Sequence, residues 1–133
     1  MIVIDASVAL AWTLQEPENA EAFAALEYIA DRGAYVPGNF HADVIHGLLQ
    51  AQKHKRLTDA DVAEAISNIT ALSLVVEPPD PHVVAATART HGLTGYDASY
   101  LALALRIHLP LATVDAHLAA AAKSAKSLWK AKG

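Results

Sequence analysis

Short apolar runs alternate with amphipathic stretches along the chain, and this alternation constrains the fold more than any other feature. The runs at residues 1–4, 34–36, 72–76 and 111–114 have the length and composition of buried strands. Apolar spacing, N-caps and breakers predict helices at 19–30, 40–53, 58–71, 82–91, 97–108 and 115–123. Strands separated by helices favour parallel pairing with right-handed crossovers. We therefore expect an α/β fold, a three-layer α/β/α domain whose central, mostly parallel sheet has four strands, or five if residues 127–130 form another.

The chain has 133 residues and shows no linker or repeat, so we expect a single domain over residues 1–133. It contains no cysteine, which excludes disulfides and thiolate metal sites and fits a reducing cytoplasm. The N-terminus lacks the basic region of a signal peptide. No apolar stretch reaches the ~18 residues that a membrane-spanning helix needs. We expect a cytoplasmic protein with no membrane contact.

The charge balance restricts the possible partners. There are 10 Lys and Arg residues against 14 Asp and Glu residues, a net charge of −4. This argues against a protein that coats DNA, which usually presents a basic field. It does not argue against a nuclease, because carboxylates that bind a metal make the bare chain look more acidic than the working site. The basic run at residues 53–56 either interacts with a helix dipole or contacts phosphate.

Acidic residues stand where a parallel sheet places its ligand crevice, at the carboxyl ends of the strands. Asp5 and Asp115 each follow a predicted strand directly. Asp97 opens a predicted helix, and Asp43 lies inside another, away from its apolar stripe. Taken singly, the first three suit helix N-caps and Asp43 suits an exposed helix face.

The four residues together favour a metal site. Carboxylates that converge at partly desolvated strand ends repel each other, and some of their pKa values rise. A hard divalent cation relieves this repulsion, and Mg²⁺ suits two or three carboxylates because it keeps several waters. Such ions activate water and stabilise the leaving oxygen of a phosphodiester. We expect Mg²⁺, with Mn²⁺ as the alternative, and metal-dependent phosphodiester cleavage.

Four segments resemble the motifs of PIN domains, and more narrowly those of VapC-type toxins from bacterial toxin–antitoxin pairs. They are residues 4–12, Val36-Pro37 with Phe40 and Asp43, residues 93–104, and residues 111–115 with the apolar positions that follow. The third segment, LTGYDASYLALA, is the most specific. The four segments occur in the family's order over nearly the whole chain.

This resemblance implies a Mg²⁺- or Mn²⁺-dependent endoribonuclease that acts on RNA. It also implies a homodimer, silenced by a cognate antitoxin whose C-terminal segment packs near the active site. Asp5, Asp97 and Asp115 match the family's acidic positions, and hence its metal ligands. Ser7 and Thr113 match hydroxyl positions near that site. The apolar fraction of 53% fits partner surfaces beyond the core, although a well-packed monomer would also account for it.

The chain departs from the family pattern at two positions, with Asp43 in place of the usual Glu and His46 in place of the usual Asn. Asp is one methylene shorter than Glu, so Asp43 is expected to reach the metal through a water. His46 lies on the same helix face and is expected to bond Asp43, contact phosphate, shift the pH optimum, or play no role. We assign Asp43 to the catalytic set and His46, Ser7 and Thr113 to auxiliary positions.

Other functions that use acidic residues or bind nucleotides fit these residues less well. A receiver-like signalling module would carry paired acids after the first strand, where Asp5 is single, and a late Lys where Asp115 stands. A dehalogenase-type phosphatase would carry a second Asp at position 7, which is Ser7. Dinucleotide binding lacks its Gly-rich turn. A degenerate PIN fold that binds RNA or an antitoxin without cleavage stays open.

Aromatic residues flank two of the acidic segments, namely Trp12 and Tyr96. An aromatic ring near the crevice is suited to stack on an unpaired base. Trp12 also suits a place in the core.

Overall fold

The computed structural model describes residues 1–16, 19–54 and 57–132. Within these residues the chain forms four strands and seven helices. The strands are β1 (Ile2–Ile4), β2 (Ala34–Pro37), β3 (Leu74–Glu77) and β4 (Leu111–Ala112). The helices are α1 (Ala6–Thr13), α2 (Ala20–Ile29), α3 (Phe40–Lys53), α4 (Asp59–Thr70), α5 (Pro81–His91), α6 (Gly95–Ile107) and α7 (Ala116–Ser124). Residues 55 and 56 of the basic run lie outside the described residues.

The sheet has the order β3-β2-β1-β4, and all of its strand pairs are parallel. In β1, Val3 lies opposite Tyr35 on one side and Leu111 on the other. All three β1 residues are buried. Because successive residues of a strand point to opposite faces, both faces of β1 are covered. The predicted α/β architecture with a parallel sheet is confirmed.

The prediction of a fifth strand at residues 127–130 is wrong, although this segment does pair with β4. Leu128 forms one isolated parallel bridge to Leu111. The Leu111 amide donates to the Ser127 carbonyl at 2.6 Å, and the Trp129 amide donates to the Leu111 carbonyl at 2.9 Å. Because β4 has only two residues, a neighbouring segment can pair with it over a short distance only.

Several element boundaries differ from the predictions because tertiary partners set them. β4 ends at Ala112, two residues early, where its partner β1 ends at Ile4. β3 begins at Leu74 and extends to Glu77, in register with β2 through Pro37. The predicted cap of α4 is confirmed: the Thr58 and Asp61 side chains each accept from the other's amide.

Helix α6 lies at the centre of one helical layer. It contacts β1, β2 and β4, and it packs against α5 and α7. Every residue from Ala98 to Ala104 is buried, so the middle of this helix is enclosed on all sides. Its ends emerge from the core: the first turn, which includes Asp97, and the last turn, where Leu105 and Arg106 are exposed. The burial of α6 therefore fixes where Asp97 lies.

Helices α1 and α3 approach each other closely on the other side of the sheet. A Cβ atom at Gly47 would overlap Cδ1 of Leu10 and lie 2.9 Å from its Cδ2. The absence of a side chain at position 47 therefore lets α3 lie against α1. Trp12 is buried, and its indole N–H donates to the Ala22 carbonyl, which supports its core role. Among the described residues, no helix combines the length and the apolar content required to cross a membrane.

We expect Gly33→Ala to destabilise the fold more than Gly92→Ala. Both glycines have a positive φ, +75° and +65°, which costs an L-residue roughly 1–2 kcal/mol. At Gly33 an added Cβ would also lie 2.7 Å from the Ser73 carbonyl oxygen, whereas Gly92 has no atom within 4 Å. The free energies of unfolding in urea measure the difference. Equal losses in the two variants would contradict the role assigned to the close approach at Gly33.

Candidate active site

A cleft of about 610 Å³ lies beside the carboxyl ends of β1 and β4. All four acidic residues selected from the sequence line it: Asp5, Asp43, Asp97 and Asp115. The other lining residues are Ala6, Ser7, Leu10, Ala42, His46, Thr94, Tyr96 and Tyr100. Five elements of the fold, β1, β4, α1, α3 and α6, thus bring residues that are up to 110 positions apart in sequence into one cleft.

Asp5 is the most enclosed of the four carboxylates, with 3% of its surface exposed. It ends β1 and caps α1, since its Oδ1 accepts from the Val8 amide at 3.1 Å. The same oxygen accepts from the Ser7 hydroxyl at 2.7 Å, and Oδ2 accepts from the Thr113 hydroxyl at 2.5 Å. Both hydroxyl residues selected from the sequence therefore contact Asp5 directly.

The two hydroxyls also join the first and last parts of the site. Ser7 Oγ lies 3.2 Å from Thr113 Oγ1 and accepts from the Val114 amide at 3.0 Å. Thr113 Oγ1 accepts from the Asp115 amide at 3.1 Å. These bonds hold the segment that follows β4 against the start of α1. Asp115 is thereby held beside Asp5.

Asp97 and Asp115 differ in how their side chains are used. Asp115 caps α7, its Oδ2 accepting from the Leu118 amide at 2.8 Å. Asp97 does not cap α6, because the helix begins two residues earlier, at Gly95. Its cap is Thr94, whose hydroxyl accepts from the Asp97 amide at 3.1 Å. The interpretation of Asp97 as a helix cap is therefore wrong, and its carboxylate is left to face the cleft.

The carboxylates of the cleft influence each other's protonation. Burial raises the pKa of Asp5 to about 6, against hydrogen bonds from Thr113, Ser7 and Val8 that lower it. Burial also raises the pKa of Asp97, and the charges of Asp115 and Asp43 raise it further, while a charged His117 lowers it. Bringing the four groups together thus costs free energy as long as their charges are uncompensated.

Asp43 is held by two side chains that the sequence analysis did not select. Its Oδ2 accepts from the Asn39 amide and from the Tyr100 hydroxyl, each at 2.7 Å. Tyr100 is buried, and its pKa is raised by that burial and by the Asp43 charge. Helical spacing offered a signal: Asn39 precedes Asp43 by four residues, and Tyr100 follows Asp97 by three. His46 is exposed and lines the cleft, and among the described residues the side-chain hydrogen bonds to Asp43 come from Asn39 and Tyr100 rather than from His46.

The donor set of the cleft fits a hydrated divalent cation. All four acidic groups offer hard oxygen ligands, the kind that Mg²⁺ and Mn²⁺ take. Within the described ranges none of the four forms an ion pair, since the ion pair found there joins Arg106 to Glu77. In the same ranges no three acidic, histidine or cysteine side chains converge closely enough to hold an ion outright. Mg²⁺ commonly binds through one or two carboxylates and several waters, which this spacing accommodates.

Comparison with known proteins places the chain in a family. The family model of the PIN domain matches residues 2–124. The chain therefore belongs to the PIN domain family, as its four motif segments predict. It is 33% identical over 122 residues to VapC ribonuclease Mb0985 of Mycobacterium bovis, covering 89% of this chain and 88% of that protein. It is 29% identical over 119 residues to ribonuclease VapC12 of Mycobacterium tuberculosis, covering 90% of each chain.

A solved structure shares the fold. The crystal structure of PAE2754 from Pyrobaculum aerophilum superposes with a TM-score of 0.70 at 23% sequence identity. The match covers 90% of this chain and 78% of that one. At this identity the likeness supports the fold alone.

We expect Asp5→Asn to stabilise the metal-free protein at neutral and alkaline pH. A carboxyl whose pKa is raised on folding stabilises the fold below its unfolded pKa, and that contribution is lost as pH rises through the folded pKa, here about 6. Since one pKa unit corresponds to about 1.4 kcal/mol, full ionisation of Asp5 costs up to roughly 3 kcal/mol. The measurement is the difference in unfolding free energy between variant and wild type, in EDTA, from pH 4 to pH 8.

The control for this prediction is Asp31→Asn. Asp31 is exposed and does not line the cleft, so its replacement leaves the carboxylates around Asp5 in place. The difference for Asp5→Asn should rise with pH more steeply than the difference for Asp31→Asn. If the difference in unfolding free energy between Asp5→Asn and wild type stays constant or falls with rising pH, burial does not raise the pKa of Asp5.

Proposed function

We propose that the chain is an endoribonuclease that hydrolyses RNA phosphodiester bonds with Mg²⁺ or Mn²⁺, as the toxin of a toxin–antitoxin pair. The observation that carries this proposal is the cleft itself, in which four carboxylates from distant parts of the chain gather without forming an ion pair among the described residues. Membership of the PIN domain family and likeness to proteins named VapC ribonucleases support the same activity.

In this proposal the residues of the cleft have different roles. Asp5, Asp97 and Asp115 form the site of the divalent ion, which would be held by one or two of these carboxylates directly and by the others through its waters, with Asp43 as a fourth acidic group of the cleft. Ser7 and Thr113 fix the Asp5 carboxylate through their hydrogen bonds, so that little reorganisation is needed during the reaction. A bound divalent ion supplies Lewis acidity, which lowers the pKa of an attacking water and stabilises charge on the leaving oxygen.

Tyr96 supports a substrate with unpaired bases. Its ring is 70% exposed at the edge of the cleft, directly before Asp97. The Ser99 hydroxyl donates to the Tyr96 carbonyl at 2.6 Å and so fixes the local backbone. Exposed aromatic rings beside a phosphodiester site stack on bases that are not paired, as in RNA loops. We assign Tyr96 this stacking role.

Other predicted properties remain part of the proposal: a homodimer, a cognate antitoxin partner and a cytoplasmic location. Apolar side chains stay exposed on α3, where Ile45 and Leu49 are 40% and 50% exposed. Exposed apolar residues of this size are typical of partner surfaces when they cluster. Gel filtration with light scattering measures whether the purified chain is a dimer.

We expect RNA cleavage to require a divalent ion and the three aspartates of the proposed metal site. Purified chain, free of any partner, is incubated with structured RNA in Mg²⁺ or in EDTA. Asp5→Asn, Asp97→Asn and Asp115→Asn should each lower kcat by at least about a hundredfold, because each removes a charged oxygen that stabilises the transition state. Asp31→Asn, an exposed aspartate outside the cleft, is the matched control and should cleave like wild type.

The outcomes separate the candidate functions. Cleavage that persists in EDTA, or in Asp5→Asn, would rule out the metal–carboxylate mechanism. If the wild type binds RNA without cutting it in Mg²⁺ or Mn²⁺, the chain is a degenerate PIN domain that acts by binding.

We expect Tyr96→Ala to raise KM for RNA with unpaired bases by roughly 5- to 150-fold, since one base–aromatic stack contributes about 1–3 kcal/mol. Tyr96→Phe keeps the ring and should retain the wild-type KM. Initial rates on a single-stranded oligonucleotide measure both. Equal KM values for Tyr96→Ala and Tyr96→Phe would contradict the stacking role.

A further inference from the structure

Among the described residues, the Asp43 carboxylate accepts hydrogen bonds at one oxygen, Oδ2. Both of its hydrogen bonds, from the Asn39 amide and from the Tyr100 hydroxyl, go to Oδ2 at 2.7 Å. A carboxylate oxygen accepts more than one hydrogen bond, so Oδ2 can accept from both donors at once. Two short hydrogen bonds from different side chains hold this oxygen in place. Asp43 lines the cleft, so Oδ1 remains as the oxygen available to a ligand there.

The donors are themselves fixed by the fold. Tyr100 lies on the buried helix α6 and is 2% exposed, so its ring has little freedom. Asn39 stands at the start of α3, one turn before Asp43. Its Oδ1 lies 2.9 Å from the Ser99 hydroxyl, which shares its one proton between this oxygen and the Tyr96 carbonyl, and its Nδ2 donates to the carboxylate. This orientation of the amide is the consistent one, because a carboxylate can only accept.

The four side chains therefore form one connected chain between two helices. Ser99 and Tyr100 come from α6, which also carries Asp97, while Asn39 and Asp43 belong to α3 and its cap. The sequence separations across this link are 57 and 60 residues. Any change in the position of α3 relative to α6 would move Asp43 relative to Asp97. The link thus sets the distance between two acidic groups of the cleft.

We propose that Tyr100 and Asn39 are positioning residues, which hold Asp43 so that a single carboxylate oxygen faces the cleft and contributes to binding the divalent ion. This inference rests on the proposed metal-dependent nuclease function. It explains how an aspartate, whose side chain is short, is useful in this position. The two hydrogen bonds already fix the conformation of the Asp43 side chain. Binding the ion therefore costs no further side-chain conformational entropy at this residue.

The rival explanation is that Asp43 merely satisfies the buried Tyr100 hydroxyl, which needs a partner in any case. The two explanations predict different behaviour when the hydroxyl is removed. If Asp43 serves only the fold, Tyr100→Phe changes stability and leaves ion binding and turnover alone. If Tyr100 acts through Asp43, turnover and ion binding fall while the fold is retained.

The test uses Tyr100→Phe, with Tyr28→Phe as the matched control. The Tyr28 ring packs against Trp129 and under Arg32, away from the cleft, and these ring contacts survive loss of its hydroxyl. Mn²⁺ binding is measured by calorimetry on RNA-free protein, and kcat and KM are measured on RNA. Removing a group that orients a metal ligand typically costs 10- to 100-fold in affinity or activity. We expect Tyr100→Phe to lower both Mn²⁺ affinity and kcat by roughly tenfold or more, with KM for RNA unchanged.

A double-mutant cycle shows whether the effect passes through Asp43. In an Asp43→Asn background the charged oxygen is gone, so adding Tyr100→Phe should cause no further loss of Mn²⁺ affinity or kcat. Additive losses, or a Tyr100→Phe protein that matches Tyr28→Phe in both readouts, would overturn the positioning role. If the wild type binds Mn²⁺ but does not cleave RNA, the nuclease proposal fails. The Mn²⁺ affinities of the variants then still test the positioning role.

Discussion

The Asp5 carboxylate lies where the central strand ends inside the protein, and the rest of the site is arranged around this buried charge. Its two oxygens take hydrogen bonds from Ser7, Val8 and Thr113, which together offset part of the cost of burial. The Thr113 hydroxyl is available because β4 ends one residue earlier, at Ala112. The same hydroxyl accepts from the Asp115 amide, so satisfying Asp5 also places a second acid beside it.

Stability and the proposed activity make opposite demands on this cleft. Burial raises the pKa of Asp5 and of Asp97, and neighbouring charges add to the rise at Asp97. A fold selected for stability alone would separate these groups or pair them with cations. The protein keeps them together, and only a bound cation converts their repulsion into attraction. Unfavourable electrostatics in the metal-free chain are thus the physical basis of the proposed ion binding.

Helix α6 connects the two halves of the site. Its buried body packs on three strands, and its first turn presents Asp97 and the exposed Tyr96 ring. Through Tyr100 and Ser99 it also bonds Asp43 and Asn39 of the α3 segment. One helix therefore positions two acidic groups and the ring assigned to base stacking. This arrangement accounts for the concentration of family motif residues at positions 93–104.

The sequence by itself determined the parallel α/β architecture, the family and the four acidic residues of the cleft. It did so because strand ends, apolar periodicity and the Thr58–Asp61 cap are local patterns that the chain carries wherever it folds. Only the tertiary structure decided that β4 stops at Ala112, because strand length depends on the partner strand. Only it decided that Thr94 rather than Asp97 caps α6, since both residues suit the position in sequence. The Asn39–Asp43–Tyr100 link was likewise hidden, because Tyr100 is spaced like a core residue and its hydroxyl finds its acceptor 57 residues away.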